Sequence, residues 1–175
     1  MENIAYESDT SYLERFTDGL GIPLRFVTTR FDASTDRRKT PCFLCSWMRR
    51  KQLFNLAQET GCNKIALGHH QDDVLITALM NAFFQGSFSS MPPLLKMDKM
   101  PLSVIRPLCL EKEQDIRDYA QWRQYEKQNR LCPHEHASYR TGVARMFYEM
   151  ESANPEIRHS LWKAVKDTWR EKAEK

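Results

Sequence analysis

Hydrophobic and polar positions change period several times along the chain, and each change marks a predicted element. In residues 9–20, Tyr12, Leu13 and Phe16 fall on one helical face, and Gly19 supplies a stop signal. After Gly21, the run Ile22-Pro23-Leu24-Arg25-Phe26-Val27-Thr28-Thr29 alternates apolar and polar residues, which predicts a strand. Residues 31–40 read as a charged loop. A helix is expected from residues 42–45 to residue 60, closed by Gly61. Lys64-Ile65-Ala66-Leu67-Gly68 is a short apolar run of the kind found in buried parallel strands. Asp72 or Asp73 is expected to cap the next helix, which carries Val74, Leu75, Leu79 and Phe83 to a stop near Gly86. Met91-Pro92-Pro93-Leu94-Leu95 reads as a rigid connector, and residues 102–108 as a strand closed by Pro107. Residues 111–126 are predicted helical, with Ile116, Tyr119 and Ala120 facing inward. A loop over 129–139 holds Cys132, and two helices over about 139–151 and 154–172 finish the chain.

This alternation of helix and strand predicts an α/β fold, a doubly wound parallel sheet with C-terminal helices. Residues 1–175 are read as a single domain whose C-terminal segment, about 139–175, is helical. No internal repeat or low-complexity tract interrupts it.

Composition narrows the class. A hydrophobic content of 41% and a charged content of 28% are those of a globular protein with a real core. No apolar run approaches the roughly 20 residues needed to cross a bilayer. Met1-Glu2-Asn3 starts no signal-peptide pattern, so a cytoplasmic protein without a membrane segment is expected. A net charge of +3 is too small to argue nucleic-acid binding from composition. Basic residues nevertheless bracket Cys42 and Cys45: Arg37, Arg38 and Lys39 before them, Arg49, Arg50 and Lys51 after. These are either a solvated face or an anion-facing one.

Five cysteines are an odd count, and in a reducing compartment structural disulfides are not expected. Cys42-Phe43-Leu44-Cys45 places two thiols where both sulfurs reach one centre. Cys132 is a candidate third ligand, with His134 and His136 beside it. A Zn2+ site and a three-cysteine iron–sulfur cluster both fit this set, as do idle thiols. Cys62 and Cys109 lack partners at useful spacing and read as core residues. The second constellation is Gly68-His69-His70-Gln71-Asp72-Asp73, straight after a predicted buried strand. Ligands of open α/β sheets bind beyond the carboxyl ends of strands. Gly68 permits close backbone approach, and the carboxylates suit proton or Mg2+ chemistry. Arg106, in an apolar strand, needs a counter-charge or an anionic ligand. Arg140 is placed either to meet a phosphate or to cap a helix. Trp122, Trp162 and Trp169 are expected in the core.

Taken in order, these motifs resemble the tRNA 2-thiocytidine biosynthesis (TtcA-like) family of the PP-loop ATPase superfamily. The matching segments are Cys42-Phe43-Leu44-Cys45-Ser46-Trp47-Met48-Arg49-Arg50, Lys64 through Asp73, Asn81-Ala82-Phe83-Phe84, Met91-Pro92-Pro93, Val104 through Leu108, Glu113-Gln114-Asp115-Ile116, and Cys132 with Arg140. The resemblance runs over about residues 3–160. It implies an ATP- and Mg2+-dependent transferase that adenylates a cytidine of the tRNA anticodon loop and replaces its oxygen with sulfur from a donor. It also implies a 4Fe-4S cluster on Cys42, Cys45 and Cys132, with the fourth iron open to sulfur. Asp72 and Asp73 would lie by the nucleotide and the reacting base. Gly68, His69, His70, Arg106 and Arg140 would line the nucleotide and substrate site, and Arg49 and Arg50 would approach phosphate or tRNA. The family's N-terminal Ser-Gly-Gly-Lys-Asp-Ser phosphate loop has no counterpart, and residues 3–6 resemble the family's second strand. Asn129 stands where many relatives have a second cysteine, and Lys51 where many have glycine. The expectation is therefore a truncated or degenerate member. Its open sheet edges would be covered in a homo-oligomer. The alternative is a Zn- or Fe-S-binding tRNA scaffold without ATPase activity.

Overall fold

A computed structural model describes residues 1, 10–32, 40–127 and 139–173, with side chains through residue 171. Its elements run α1 (Ser11–Gly19), α2 (Pro41–Glu59), β1 (Lys64–Ala66), α3 (Gln71–Gln85), β2 (Leu94–Lys96), β3 (Ser103–Ile105), α4 (Glu113–Trp122), α5 (Tyr139–Ala153) and α6 (Glu156–Ala173). They fall into two compact units. One comprises Met1–Cys62 and Gln124–His136, the other Asn63–Arg123 and Ala137–Lys175.

In the first unit, α1 stacks Tyr12 on Phe16 with centroids 5.8 Å apart, and Phe16 meets Tyr125 edge-on at 5.2 Å. The helix ends at Gly19, the predicted stop, and Gly21, in the left-handed region at φ +64°, turns the chain out of it. Thr40 caps α2 by accepting the Phe43 amide at 3.3 Å, and Pro41 occupies the first turn, where no amide donor is needed. Gly61, at φ +67°, ends it. The predicted strand over 22–29 is not one. No ladder pairs with it among the described residues, and an alternating pattern without a neighbour's hydrogen bonds leaves extended chain. Phe26 and Val27 are exposed there.

The second unit holds the sheet, in the order β1-β3-β2. β1 and β3 are parallel, with Ile65 opposite Val104. β2, predicted as part of a rigid connector, instead pairs antiparallel with β3, Leu95 opposite Val104. Among the described residues, the parallel arrangement is thus confined to β1 and β3. Helices α3, α5 and α6 pack together over one core. Val74, Leu75 and Ala78 contribute from α3, Val143 and Phe147 from α5, and Val165 from α6, each at helical spacing. Trp162 and Trp169 pack against that core and meet edge-on at 5.5 Å. Trp122 does not: it is 74% exposed, and α4 buries none of its residues. Tyr119, expected to face inward, is likewise exposed, as is Phe83, whereas Cys109 is buried as predicted. Cys62, predicted to be internal, is exposed just beyond the α2 terminus.

Candidate functional site

The turn between β1 and α3 sits at the carboxyl end of the parallel pair. The Leu67 amide donates to the Ile105 carbonyl at 2.9 Å, and the Gln71 amide to Glu111 at 2.8 Å. Both anchors fix the intervening Gly68, His69 and His70. A Cβ built on Gly68 would meet nothing within 4 Å, so its backbone faces open space. His70, not an aspartate, is the N-cap of α3. Its amide donates to Asp73 Oδ2 at 3.1 Å, half of a capping box. Two aspartates in the first helical turn also complement the positive end of the helix dipole.

From there the two carboxylates part. Asp72 is 1% exposed. Its Oδ2 accepts the Glu113 amide at 2.7 Å and so caps α4, while its Oδ1 accepts Arg158 Nη2 at 2.7 Å. Arg158, itself buried, also donates from Nη2 to Glu151 Oε2 at 2.9 Å and from Nη1 to Gln71 Oε1 at 2.9 Å; its Nε donates to Glu151 Oε1. Its guanidinium lies over the Phe147 ring, 5.1 Å from the centroid. Burial alone would push the Asp72 carboxyl up, but His70, Arg158 and the Glu113 amide outweigh it and hold it well below the usual carboxylate range. Burial likewise opposes the charge on Arg158, yet Glu151 and Asp72 raise its pKa further. At neutral pH Asp72 is therefore an anion, and both of its oxygens are already engaged. It sits where three helix termini and α6 meet.

Asp73 faces outward. Its Oδ1 accepts Arg140 Nη2, and Arg140 Nη1 stands 3.4 Å from Thr77 Oγ1. Arg140 thus pairs with a carboxylate of the α3 first turn. Arg106 is buried and donates to the Pro92 carbonyl, while its amide donates to Pro93 at 2.9 Å. That contact ties the turn after β3 to the start of β2.

The two histidines are tuned in opposite senses. His70 Nε2 is 3.3 Å from Asp73 Oδ2, and its Nδ1 is 3.7 Å from Asp72 Oδ2. The Asp72 carboxylate raises the His70 pKa more than burial lowers it, with Asp73 adding to the rise. For His69, burial lowers the pKa, Asp73 opposes, and Arg106 and Arg140 lower it again. His69 Nδ1 is buried and has no hydrogen-bond partner among the described residues. An imidazole with one orphaned nitrogen and its neutral form favoured, beside one whose charged form is favoured, can hydrogen-bond a polar substrate and attract an anionic one.

Next to this turn lies a cavity of about 390 Å³ lined by Asp72, Lys112, Glu113, Tyr148, Glu151 and Arg158, among others. Tyr148 donates its hydroxyl to Glu113 Oε2 at 3.2 Å. Burial and the Asp72 and Glu113 charges push that phenol's pKa up, so it stays a donor. Glu113, Tyr148, Glu151 and Arg158 were not anticipated from sequence. One signal existed for Arg158: it stands in the same helical stripe as Leu161, Trp162 and Val165, a charge on an apolar face.

Cys42 and Cys45 are in the other unit, one helical turn apart at the start of α2; Cys42 is exposed and Cys45 half-buried. Arg49 and Arg50 follow on the same helix, both exposed. Cys132, with His134 and His136, lies outside the described residues. Two thiols at helical spacing i and i+3 suit a soft metal or an iron–sulfur centre, and their donor chemistry fits either. Among the described residues alone, no group of three ligating side chains converges. No helix among them is long and apolar enough to cross a membrane.

No family model matches the chain. It is 41% identical over 160 residues to the tRNA-cytidine(32) 2-sulfurtransferase of Chromohalobacter salexigens, an alignment covering 88% of this chain and 55% of that protein. The protein of the same name from Stenotrophomonas maltophilia is 39% identical over 148 residues, covering 82% of this chain and 48% of the relative. The chain spans about half the length of these curated relatives. Among solved structures, it is similar to the U34-tRNA thiolase from Methanococcus maripaludis with its 4Fe-4S cluster. The TM-score is 0.77 at 24% identity, over 94% of this chain and 57% of that one. The likeness of fold extends to nearly the whole chain, and the likeness of sequence is far above chance. Over the half of their length that it spans, the chain is similar in sequence to the tRNA-cytidine(32) 2-sulfurtransferases, and it shares its α/β fold with the archaeal thiolase.

Proposed function

We propose that this chain is a tRNA sulfur-transfer protein of the 2-thiocytidine type, or the part of one that spans its substrate turn and cysteine pair. The observation that carries the reading is its 41% identity over 160 residues to a tRNA-cytidine(32) 2-sulfurtransferase. The geometry supports it: an orphaned imidazole and an ion pair stand at the carboxyl end of a parallel strand pair, where α/β folds bind nucleotides.

In this reading the cytidine oxygen would attack the α-phosphate of Mg2+-bound ATP with loss of pyrophosphate, and sulfide-level sulfur from a donor would then take its place on the base with loss of AMP. Gly68 leaves space for close approach, and neutral His69 offers its free nitrogen to the base or nucleotide. His70, with its raised pKa, and Arg140 supply positive charge for phosphate, and Asp73 orients both. Asp72 acts on the site by position, fixing the start of α3 rather than touching substrate. Arg106 holds the neighbouring turn. Arg49 and Arg50 meet tRNA or phosphate. Cys42 and Cys45, with Cys132 as the third ligand, would hold the 4Fe-4S cluster, which when bound supplies an open iron for the incoming sulfur. The two units belong to one cytoplasmic domain that works as a homo-oligomer.

The test is anaerobic reconstitution with iron and sulfide, followed by incubation with ATP, Mg2+, a sulfur donor and unmodified tRNA. Mass spectrometry of the digested tRNA should show 2-thiocytidine, dependent on ATP. A brown protein absorbing near about 400 nm supports the cluster. A colourless protein with one bound zinc, and no thiolated product, would overturn the reading in favour of a metal-bound scaffold.

A further inference from the structure

The first unit contains a cavity of about 240 Å³ that the cysteine pair does not line. One wall is a single face of α2: Arg49, Gln52, Leu53 and Leu56 recur at helical spacing. The other wall is one side of the extended chain, where Arg25, Val27 and Thr29 alternate. Gln52 Nε2 donates to Thr29 Oγ1 at 3.3 Å and stitches the walls together. Two guanidinium groups reach this cavity, and no carboxylate lines it. Among the described residues, neither Arg25 nor Arg49 forms an ion pair, whereas Arg140 and Arg158 of the second unit are both matched to acids. The contrast with the cavity beside Asp72 is one of charge. That one sets three acids against three bases, while this one offers only bases, amide and hydroxyl donors and an apolar floor.

We infer that Arg25 and Arg49 form a phosphate-group site, each guanidinium fork matching phosphate oxygens and Gln52 and Thr29 supplying further donors. The tRNA reading suggested a phosphate role for Arg49; the cavity adds Arg25, gives the pair a shared pocket, and fixes the ligand chemistry as an oxyanion. Two sources present that chemistry: the backbone of an RNA substrate and the phosphate chain of a free nucleotide. In the first case the site deepens the proposed function and rests on it; in the second it stands alone.

The experiment compares the full chain with Arg25→Gln, Arg49→Gln, and the exposed surface variant Arg145→Gln as a control, with two probes. Anisotropy of a labelled unmodified tRNA is read between about 50 and 200 mM salt, and inorganic pyrophosphate is titrated by calorimetry. If RNA phosphates fill the site, each of the first two variants flattens the log K against log salt slope by about 0.7–0.9, and the control does not. Arg25→Lys, which keeps the charge, should recover most of that slope, which separates lost contact from lost fold. If a free phosphate chain fills the site, pyrophosphate binding disappears in both variants while the tRNA slope stays put. Wild-type binding of both probes that neither variant alters, equal loss in the control, or no binding of either probe by wild type would each overturn the inference. A tRNA slope and a pyrophosphate titration that are both indifferent to the two arginines sink this site and leave the thiolation reading standing. Pyrophosphate binding through Arg25 and Arg49 without thiolated product does the reverse.

Discussion

Replacing Arg158 with Met tests whether the buried Asp72 network holds the second unit together. Arg158 makes four hydrogen bonds, two to Glu151 and one each to Asp72 and Gln71. Met keeps much of the aliphatic volume against Phe147 but leaves Asp72, 1% exposed, without its guanidinium partner. Breaking a buried pair by removing one partner costs about 3–5 kcal/mol, chiefly the penalty of an uncompensated buried charge. For a chain of this size that lowers the melting temperature by roughly 6–20 °C. Urea denaturation followed by circular dichroism reads the loss directly. The pH dependence carries a second check. The folded Asp72 carboxyl lies below its ordinary value, so its contribution is complete above about pH 3.9 and is lost as pH falls through the folded pKa. The variant lacks the share of that contribution that Arg158 supplies, so its deficit against wild type is largest at neutral pH and shrinks in acid. Adding Asp72→Asn removes the stranded charge, and the double variant should recover about 1–3 kcal/mol relative to the sum of the two single losses. A deficit under about 1 kcal/mol at pH 7, or one that stays constant from pH 7 to pH 3, would refute the argument.

The histidines give an independent readout: in proton NMR titrations, His70 should titrate above about 6.5 and His69 below it, and a reversed order would contradict the geometry of the turn. Cys42→Ala, Cys45→Ala and Cys132→Ala should each abolish iron loading under anaerobic reconstitution, while Cys62→Ala and Cys109→Ala retain it; equal iron in all five variants removes the ligand assignment. Phe147→Ala, emptying a core position 1% exposed, should cost about 3–5 kcal/mol, and Trp122→Ala, on a side chain 74% exposed, should fall within about 0.5 kcal/mol. A large loss from Trp122→Ala would show that α4 buries its aromatic face.

Much of this protein was legible in one dimension because its signals are local. Helix period placed α2, α3, α5 and α6 nearly to their ends, and Gly61 and Gly86 end their helices in the left-handed region that their missing side chains allow. The apolar run 64–68 and the following His/Asp turn gave the carboxyl end of β1, and the ordered motifs gave the family relationship. Pairing was not legible. The run 22–29 alternates like a strand, yet a strand exists only through a neighbour's hydrogen bonds; Leu94–Lys96, hidden behind two prolines, became one because β3 lay beside it. The site divided in the same way. Residue type placed Asp72 and Asp73 together as a reactive pair, since adjacent residues share every local signal. Only tertiary packing separated them, turning Asp72 inward to Arg158, which lies 86 positions away, and Asp73 outward to Arg140, 67 away. The sequence by itself determined which groups are present and in what local geometry. The tertiary structure decided which charges are neutralised, because burial and a distant counter-ion, not neighbours along the chain, set whether a carboxylate is available for chemistry.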